Sequence, residues 1–336
     1  MKIKVAFIIG YNGKKYHGLQ FNQSLPTIEG VLIDELRKIK AISELNAIHP
    51  RKIGMQRACR TDKGVHAAMN IITCKIEFVI SDECFEKLRE SLLLSGIYLY
   101  KIVRVPRGFV PKNRCDSRVY EYFIPTFILE KENFNENCKI YNNKKDNEIE
   151  NNIDTFIKYR ISDENYKKIK NILESFKGVK NYHNFTAQNN TKGTSRIIKS
   201  ITVSDPLLSG EVEYIRISLH GQSFMLHQIR KMIGLAVIAH KYCSNPEEVM
   251  DMSFGGDRIN IPKAPSCFLL LDEPFFTYYN DKYKLTHPEI VISKDERESI
   301  KNKIIYPEIL KKENLFSFIE WKQIIYKHYY EFKYIN

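Results

Sequence analysis

Ile3, Val5, Phe7 and Ile9 alternate with other side chains in "MKIKVAFIIGYNG", and this period of two predicts a strand over 3–10. Beyond the Gly-rich turn "GYNGKKYHG", Ile28, Val31, Leu32, Leu36 and Ile39 recur at helical spacing. They predict a helix near 28–40 with Thr27 as its cap. A short strand around 52–58, a strand over 70–78, a helix over 83–94 capped by Asp82 and a strand over 97–105 follow. The order β-α-β-β-α-β is that of a ferredoxin-like split βαβ unit.

The pattern then restarts. "SRVYEYFIPTF" predicts a strand over 117–127, and the Asn-rich, charged stretch after it reads as a surface insertion near 130–160. Ser162 caps a helix whose Tyr166, Ile169, Leu173 and Phe176 share a face and which Gly178 can end. Strands are expected near 181–187, 196–204 and 211–219, then a helix over 224–240, a short helix from Asn245-Pro246 and a buried strand in "CFLLL" at 267–271. The tail "IEWKQIIYKHYYEFKYI" places Trp321, Ile324, Ile325 and His328 on a helical stripe that docks on the body. The chain thus divides into an N-terminal half over 1–110, a second half over 111–280 and a C-terminal helical extension over 281–336. The fold expected is α+β, with two ferredoxin-like halves whose sheets pack side by side around a basic cleft.

Composition narrows the class. In 336 residues, 43% are hydrophobic and 27% charged, which describes a globular chain with a sizeable core. The seven cysteines include no CxxC pair, so neither a zinc cluster nor a redox motif is spelled out, and their scatter suits a reducing compartment. The opening apolar run is too short for a secretory signal, and no run is long enough to span a bilayer; an intracellular soluble protein is expected.

The net charge of +12 matters less than its placement. Residues 51–63 carry five Lys or Arg and one acid, residues 101–118 six and one, and residues 177–199 five and none. The rest of the chain is slightly acidic. Basic clusters between strands argue for a groove that binds a polyanion, hence nucleic acid.

One carboxylate stands inside the first cluster. "RACRTDKGVHAAM" sets Asp62 among Arg57, Arg60 and Lys63. An acid there repels a nucleic-acid backbone, so it either steadies a turn through an Arg–Asp pair or does chemistry. On the 224–240 helix, Met225, Leu226, Ile229, Met232, Ile233, Ala236 and Val237 form the apolar face, while His227 and Lys231 point away. Arg230 falls at the border, where a guanidinium either pairs with a carboxylate such as Asp62 or snorkels to solvent. Tyr120 and Tyr122 share one face of their strand, as core residues or as a platform for a base. There is no Walker loop, dinucleotide fingerprint or HExxH, and a metal-dependent nuclease needs more carboxylates than this groove offers.

"GYNGKKYHGLQFN" (10–22), "TIEGVL" (27–32), "ACRTDKGVHA" (58–67), "NRCDSRVYEYFIPTF" (113–127), "NYHNFTAQ" (181–188) and "GQSFMLHQIRKMIGL" (221–235) together resemble the TruA family of tRNA pseudouridine synthases, in its eukaryotic multisite branch. The resemblance runs in family order to about residue 275, with Cys59 where the family often has Ala or Gly and Leu19 where many members have Trp or Met. It implies an RNA pseudouridine synthase that isomerises uridines in tRNA after flipping the base out. It implies Asp62 as the catalytic aspartate, Tyr120 stacked on the target uracil, Arg60 holding the base out of the RNA stack, and Arg230 paired with Asp62. It also implies no cofactor and no metal, tRNA as partner, and a nuclear protein with the cytoplasm as the alternative; the docked tail over 281–336 leads to the expectation of a monomer, with a homodimer as the alternative. The competing class is a catalytically idle RNA-binding protein on the same scaffold; a narrower anticodon-loop specificity is the other alternative.

Overall fold

A computed structural model describes residues 2–131, 156–187 and 193–331, with side chains through residue 325. The insertion expected near 130–160 lies almost wholly outside the described residues, as do Cys138 and Gln188. The chain forms two compact units, Met1–Tyr120 with Leu269–Ile309, and Glu121–Phe268 with Leu310–Asn336. This division differs from the sequence boundaries at 110 and 280. Residues 269–309 belong with the N-terminal unit, because the strand at 269–275 pairs with the N-terminal sheet.

In the first unit, β1 (Ile3–Tyr11) lies antiparallel between β3 (His66–Ile76) and β4 (Ile97–Arg104). Strand β2 (Gln56–Arg57) pairs with Ile72 and Thr73 of β3, giving the 4-1-3-2 order of a ferredoxin-like sheet. Further along the same strand, Leu270 and Leu271 pair in parallel with His66 and Ala67; they belong to the strand Leu269–Phe275. The helices Ile28–Lys38 and Asp82–Leu94 pack together. Thr27 accepts a hydrogen bond from the Gly30 N–H, as its position predicts. Asp82 is the first helical residue and Ser81 the cap, the hydroxyl accepting from the Cys84 N–H. The strand expected over 52–58 shrinks to two residues, and the short helix Glu44–Ile48 was not expected.

Strand β1 is not half-buried. Lys4, Ala6 and Ile8 are enclosed along with Val5, Phe7 and Ile9, so both faces are covered. The helical run from Lys294 to Ile309 packs against β3 and is pinned to the 269–275 strand by a buried charge cluster. Lys301 Nζ and Arg297 Nε reach Asp272 at 3.0 and 3.2 Å, and a second Arg297 nitrogen reaches Glu273 at 2.9 Å. Asp272, Arg297 and Lys301, enclosed this deeply, are tolerated because each has an opposite partner within hydrogen-bond range.

The second unit carries β5 (Ser117–Pro125, entered at Glu121), β6 (Gly178–Asn181), β7 (Ser195–Val203), β8 (Leu207–Ser209) and β9 (Val212–Gly221). Their order is β5-β9-β7-β6 with β8 on β9; the 269–275 strand of the first unit is β10. Helix Asp163–Glu174 is capped by Ser162 as expected and packs on helix Gln228–Tyr242. The strand expected over 181–187 is instead a 3-10 turn, His183–Phe185. Tyr182 and Phe185, three apart, both point into an aromatic core with Phe176 and Phe254, a spacing that strand alternation cannot satisfy. The helix expected from 224 begins at Gln228, because His227 sits in the left-handed region (φ 65°) and breaks the hydrogen-bond ladder before it.

The tail forms the helix Phe316–Glu331 and packs within this unit. Phe318, Trp321 and Ile325 are buried, Phe318 meeting Tyr122 edge-on; Ile324, placed on the inner stripe from sequence, faces outward at 47% exposure. No described helix is long and apolar enough to cross a membrane.

Candidate active site

Asp62 sits on the turn that joins β2 to β3, half-buried, with its carbonyl accepting the Val65 N–H. What shapes this turn is a polar core beneath it. Asn70 interrupts the apolar run of β3 and is fully enclosed. Its Oδ1 accepts the N–H of Cys59, and its Nδ2 donates to the Cys59 carbonyl at 3.0 Å and the Tyr11 hydroxyl at 3.2 Å. That hydroxyl shares a 2.8 Å hydrogen bond with Thr61 Oγ1. Burial pushes the Tyr11 phenol far above its ordinary value, so it remains a neutral scaffold group.

The turn "GYNGKKYHG" forms the outer wall. Gly13 N–H donates to His66 Nδ1 at 3.2 Å, the Gly64 N–H donates to the Tyr16 carbonyl, and the Leu19 N–H donates to the Thr61 carbonyl. Both sides of Asp62 are thus tied to one neighbouring segment. Glycine is required where the two strands of chain touch. A Cβ on Gly13 would strike the Val65 carbonyl, and one on Gly18, already at φ +96°, would stand 2.8 Å from the Thr61 oxygen.

The charges around the turn divide into two kinds. Arg57 is committed to Glu29, Nε to Oε1 at 2.7 Å and Nη2 to Oε2 at 3.0 Å. Glu29 is fully buried and also accepts the Phe21 N–H, locking helix Ile28–Lys38 to the start of the loop. Arg60 and Lys63 are exposed. The positive charge that the turn offers to solvent is therefore that of Arg60 and Lys63, while Arg57 is structural.

Tyr120 is brought to the same loop. It is 8% exposed, and its hydroxyl and the Arg118 guanidinium both hydrogen-bond the Cys59 sulfur, three residues before Asp62. Burial, then Cys59, push the Tyr120 phenol well above its usual range. Hydrogen bonding to Cys115 and the nearby Arg118 charge pull the Cys59 thiol down. Tyr122 takes no part. It is fully enclosed in the second unit and donates to the Pro265 carbonyl at 2.8 Å.

Of the four site residues expected from sequence, Asp62, Arg60 and Tyr120 lie in the first unit and Arg230 in the second. Arg230 Nε donates to the Ala264 carbonyl at 2.6 Å, and the Ala264 N–H returns a bond to the Arg230 carbonyl. Lys231, expected to point away, is buried; its ammonium donates to the Asn184 and Thr186 carbonyls. Burial, followed by Lys263 and Arg258, lowers its pKa. Asn70, Tyr11 and Thr61 were missed. A lone Asn inside "HAAMNIITCKI" was the available signal.

A sheet of ferredoxin-like order carrying a braced, Asp-bearing basic loop defines a scaffold that holds one carboxylate among positive charges. The family model for tRNA pseudouridine synthases matches residues 172–276. The chain belongs to the tRNA pseudouridine synthase family and is an RNA pseudouridine synthase. It is 33% identical to tRNA pseudouridine synthase 1 of Yarrowia lipolytica, over 95% of this chain and 74% of that one. Against the pseudouridylate synthase 1 homolog of Mus musculus the identity is 34%, over 93% and 71%. With the Saccharomyces cerevisiae tRNA pseudouridine synthase 1 it is 34%, over 84% and 62%.

Proposed function

We propose that this protein isomerises uridines of tRNA to pseudouridine with Asp62 as the one catalytic carboxylate. The observation that carries this is the bracing of the 61–66 turn from Tyr11, Gly13, Tyr16 and Leu19, which fixes a half-buried Asp in a loop that holds no other acid. Preorganisation of that kind is what a reaction with a single charged group requires. The relatives' names support tRNA as the substrate.

The isomerisation breaks the bond from ribose C1′ to uracil N1, turns the base, and joins C1′ to C5. N1 gains a proton and C5 loses one, so nothing is consumed. An ionised carboxylate serves as the nucleophile or base that opens the first bond. Tyr120 is assigned to stack on the uracil and Arg60 to hold the flipped base, which must leave its stack at a cost of a few kcal/mol. Arg230 is assigned, on its motif, as the guanidinium serving Asp62. We take the protein to act as a monomer in the nucleus; a stable dimer by light scattering, or its absence from isolated nuclei, would count against those two points.

Asp62→Asn tests the core of the proposal. Release of tritium from C5-labelled uridine in tRNA should stop, while tRNA affinity, set by phosphate contacts, should persist. Continued tritium release by this variant removes Asp62 from the chemistry. No release by the wild-type protein favours the idle RNA binder.

A further inference from the structure

We infer that Glu308, on the helical segment after β10, is a positioning residue for the catalytic turn. This rests on the assignment of Asp62 as the catalytic carboxylate. Glu308 lies on the single turn Tyr306–Ile309, directly after a π-helical stretch, Lys301–Ile305. Widened turns of that type recur at functional positions, and this one follows the Lys301–Asp272 anchor on β10.

The Glu308 carboxylate is 12% exposed and grips the "GYNGKKYHG" turn at two points. Oε1 meets Lys14 Nζ at 2.8 Å, and Oε2 accepts from Asn12 Nδ2 at 3.3 Å. Asn12 is itself braced: its N–H donates to the Gly96 carbonyl, and its Oδ1 accepts the Lys14 N–H. Between the two gripped residues stands Gly13, whose N–H holds His66 and whose Cα abuts the Val65 carbonyl. Three residues beyond Gly13, the Tyr16 carbonyl holds Gly64.

The relay is therefore short. It runs from the β10 anchor through Glu308 to the 12–14 turn, and from that turn to Gly64, Val65 and His66 on the C-terminal side of Asp62. Beyond the helical chain from Lys301 to Glu308, every link is a hydrogen bond, an ion pair or a close backbone approach inside the first unit. Glu308 touches no reacting atom. Its effect is on where the Asp62 turn sits, which should alter turnover and leave RNA binding nearly unchanged.

Kinetics of Glu308→Ala, Asn12→Ala and the double variant, with thermal unfolding of each, test this. Glu308→Ala should lower kcat on the order of tenfold, a fraction of what a misplacement of about 1 Å can cost, with KM for tRNA held within about twofold. Glu308→Gln keeps an acceptor for Asn12 but loses the charge facing Lys14, and should fall between wild type and Ala. Because the two residues act through each other, the double variant should be no slower than the slower single. Wild-type kcat in Glu308→Ala, a loss confined to KM, or losses that multiply in the double variant would overturn the inference. Should the Ala variant fail to fold, wild-type kcat in Glu308→Gln overturns it equally. Asp62→Asn is assayed alongside. Activity there sinks the catalytic assignment, whereas an inactive Asp62→Asn with a fully active Glu308→Ala sinks the positioning role alone.

Discussion

Tyr11, at the end of β1, and Thr61, beside Asp62, share a buried hydrogen bond of 2.8 Å that fastens the Asp62 turn to the central strand of its sheet. Tyr11 also accepts from Asn70, so its hydroxyl serves two partners that have no water to turn to. Tyr11→Phe keeps the packing and strands both. Urea unfolding should show a loss of about 1–3 kcal/mol, the cost of leaving buried polar groups unmatched, with reduced turnover. An unchanged midpoint would mean that Thr61 and Asn70 re-pair without it.

Gly18→Ala attacks the same turn from its other side. At φ +96° the new side chain is strained whatever space it finds, and here it meets the Thr61 carbonyl. A destabilisation of about 1–3 kcal/mol is expected, with a fall in turnover that Ala substitution at an exposed glycine such as Gly256 does not reproduce. Equal kinetics for the two variants would refute the tight fit.

Tyr120 and Tyr122 separate cleanly by environment. Tyr120→Ala should abolish tritium release, because it removes the ring assigned to stack on the base. Tyr122→Phe loses only the bond to Pro265 and should cost about 1 kcal/mol of stability with normal turnover. The assignment is reversed if Tyr122→Phe is the inactive variant.

Acid should weaken the fold through His240. The ring is fully enclosed, with Nε2 against the Leu129 carbonyl at 3.1 Å, and burial first, then Lys168, bring its pKa from 6.5 down to about 4. The folded state holds the ring neutral while the unfolded chain takes up a proton below 6.5. Stability from this group is therefore complete above pH 6.5 and is lost as pH falls toward 4. Between pH 7 and 5 the linkage amounts to about 2 kcal/mol. His240→Gln should flatten that part of the urea-unfolding profile, and an identical slope in both proteins would remove His240 as its source.

Local signals were legible where one residue's own backbone supplied the answer. Thr27 and Ser162 cap helices because the N–H groups they satisfy lie three residues along the chain. Asp82 and Ser81 are both good caps, and only the path of the chain decides between them. Lys231 defeated helical periodicity altogether. Its position suggested solvent, yet its ammonium finds carbonyls of residues 184 and 186, far away in sequence. The site shows the same divide. Asp62 stood out as an acid among basic residues, and the family motif gave it a role. The Asn70 network was hidden because its partners at Tyr11, Cys59 and Thr61 come from separate elements.

The excursion of the chain between Tyr120 and Leu269 has a consequence for biosynthesis. The ribosome releases β1 to β4 and the Asp62 turn early, but β10 and the Glu308 helix emerge only after most of the second unit has been made. At about 5–20 residues per second, the interval between Tyr120 and Ile309 is roughly 10–40 s. During it, the stretch of β3 at His66 and Ala67 has yet to receive β10. A truncated nascent chain stopping before 269 would therefore carry the whole Asp62 motif and still lack the strand and helix that complete its unit. The order of translation itself keeps the unit that holds Asp62 incomplete until residues 269–309 have been made.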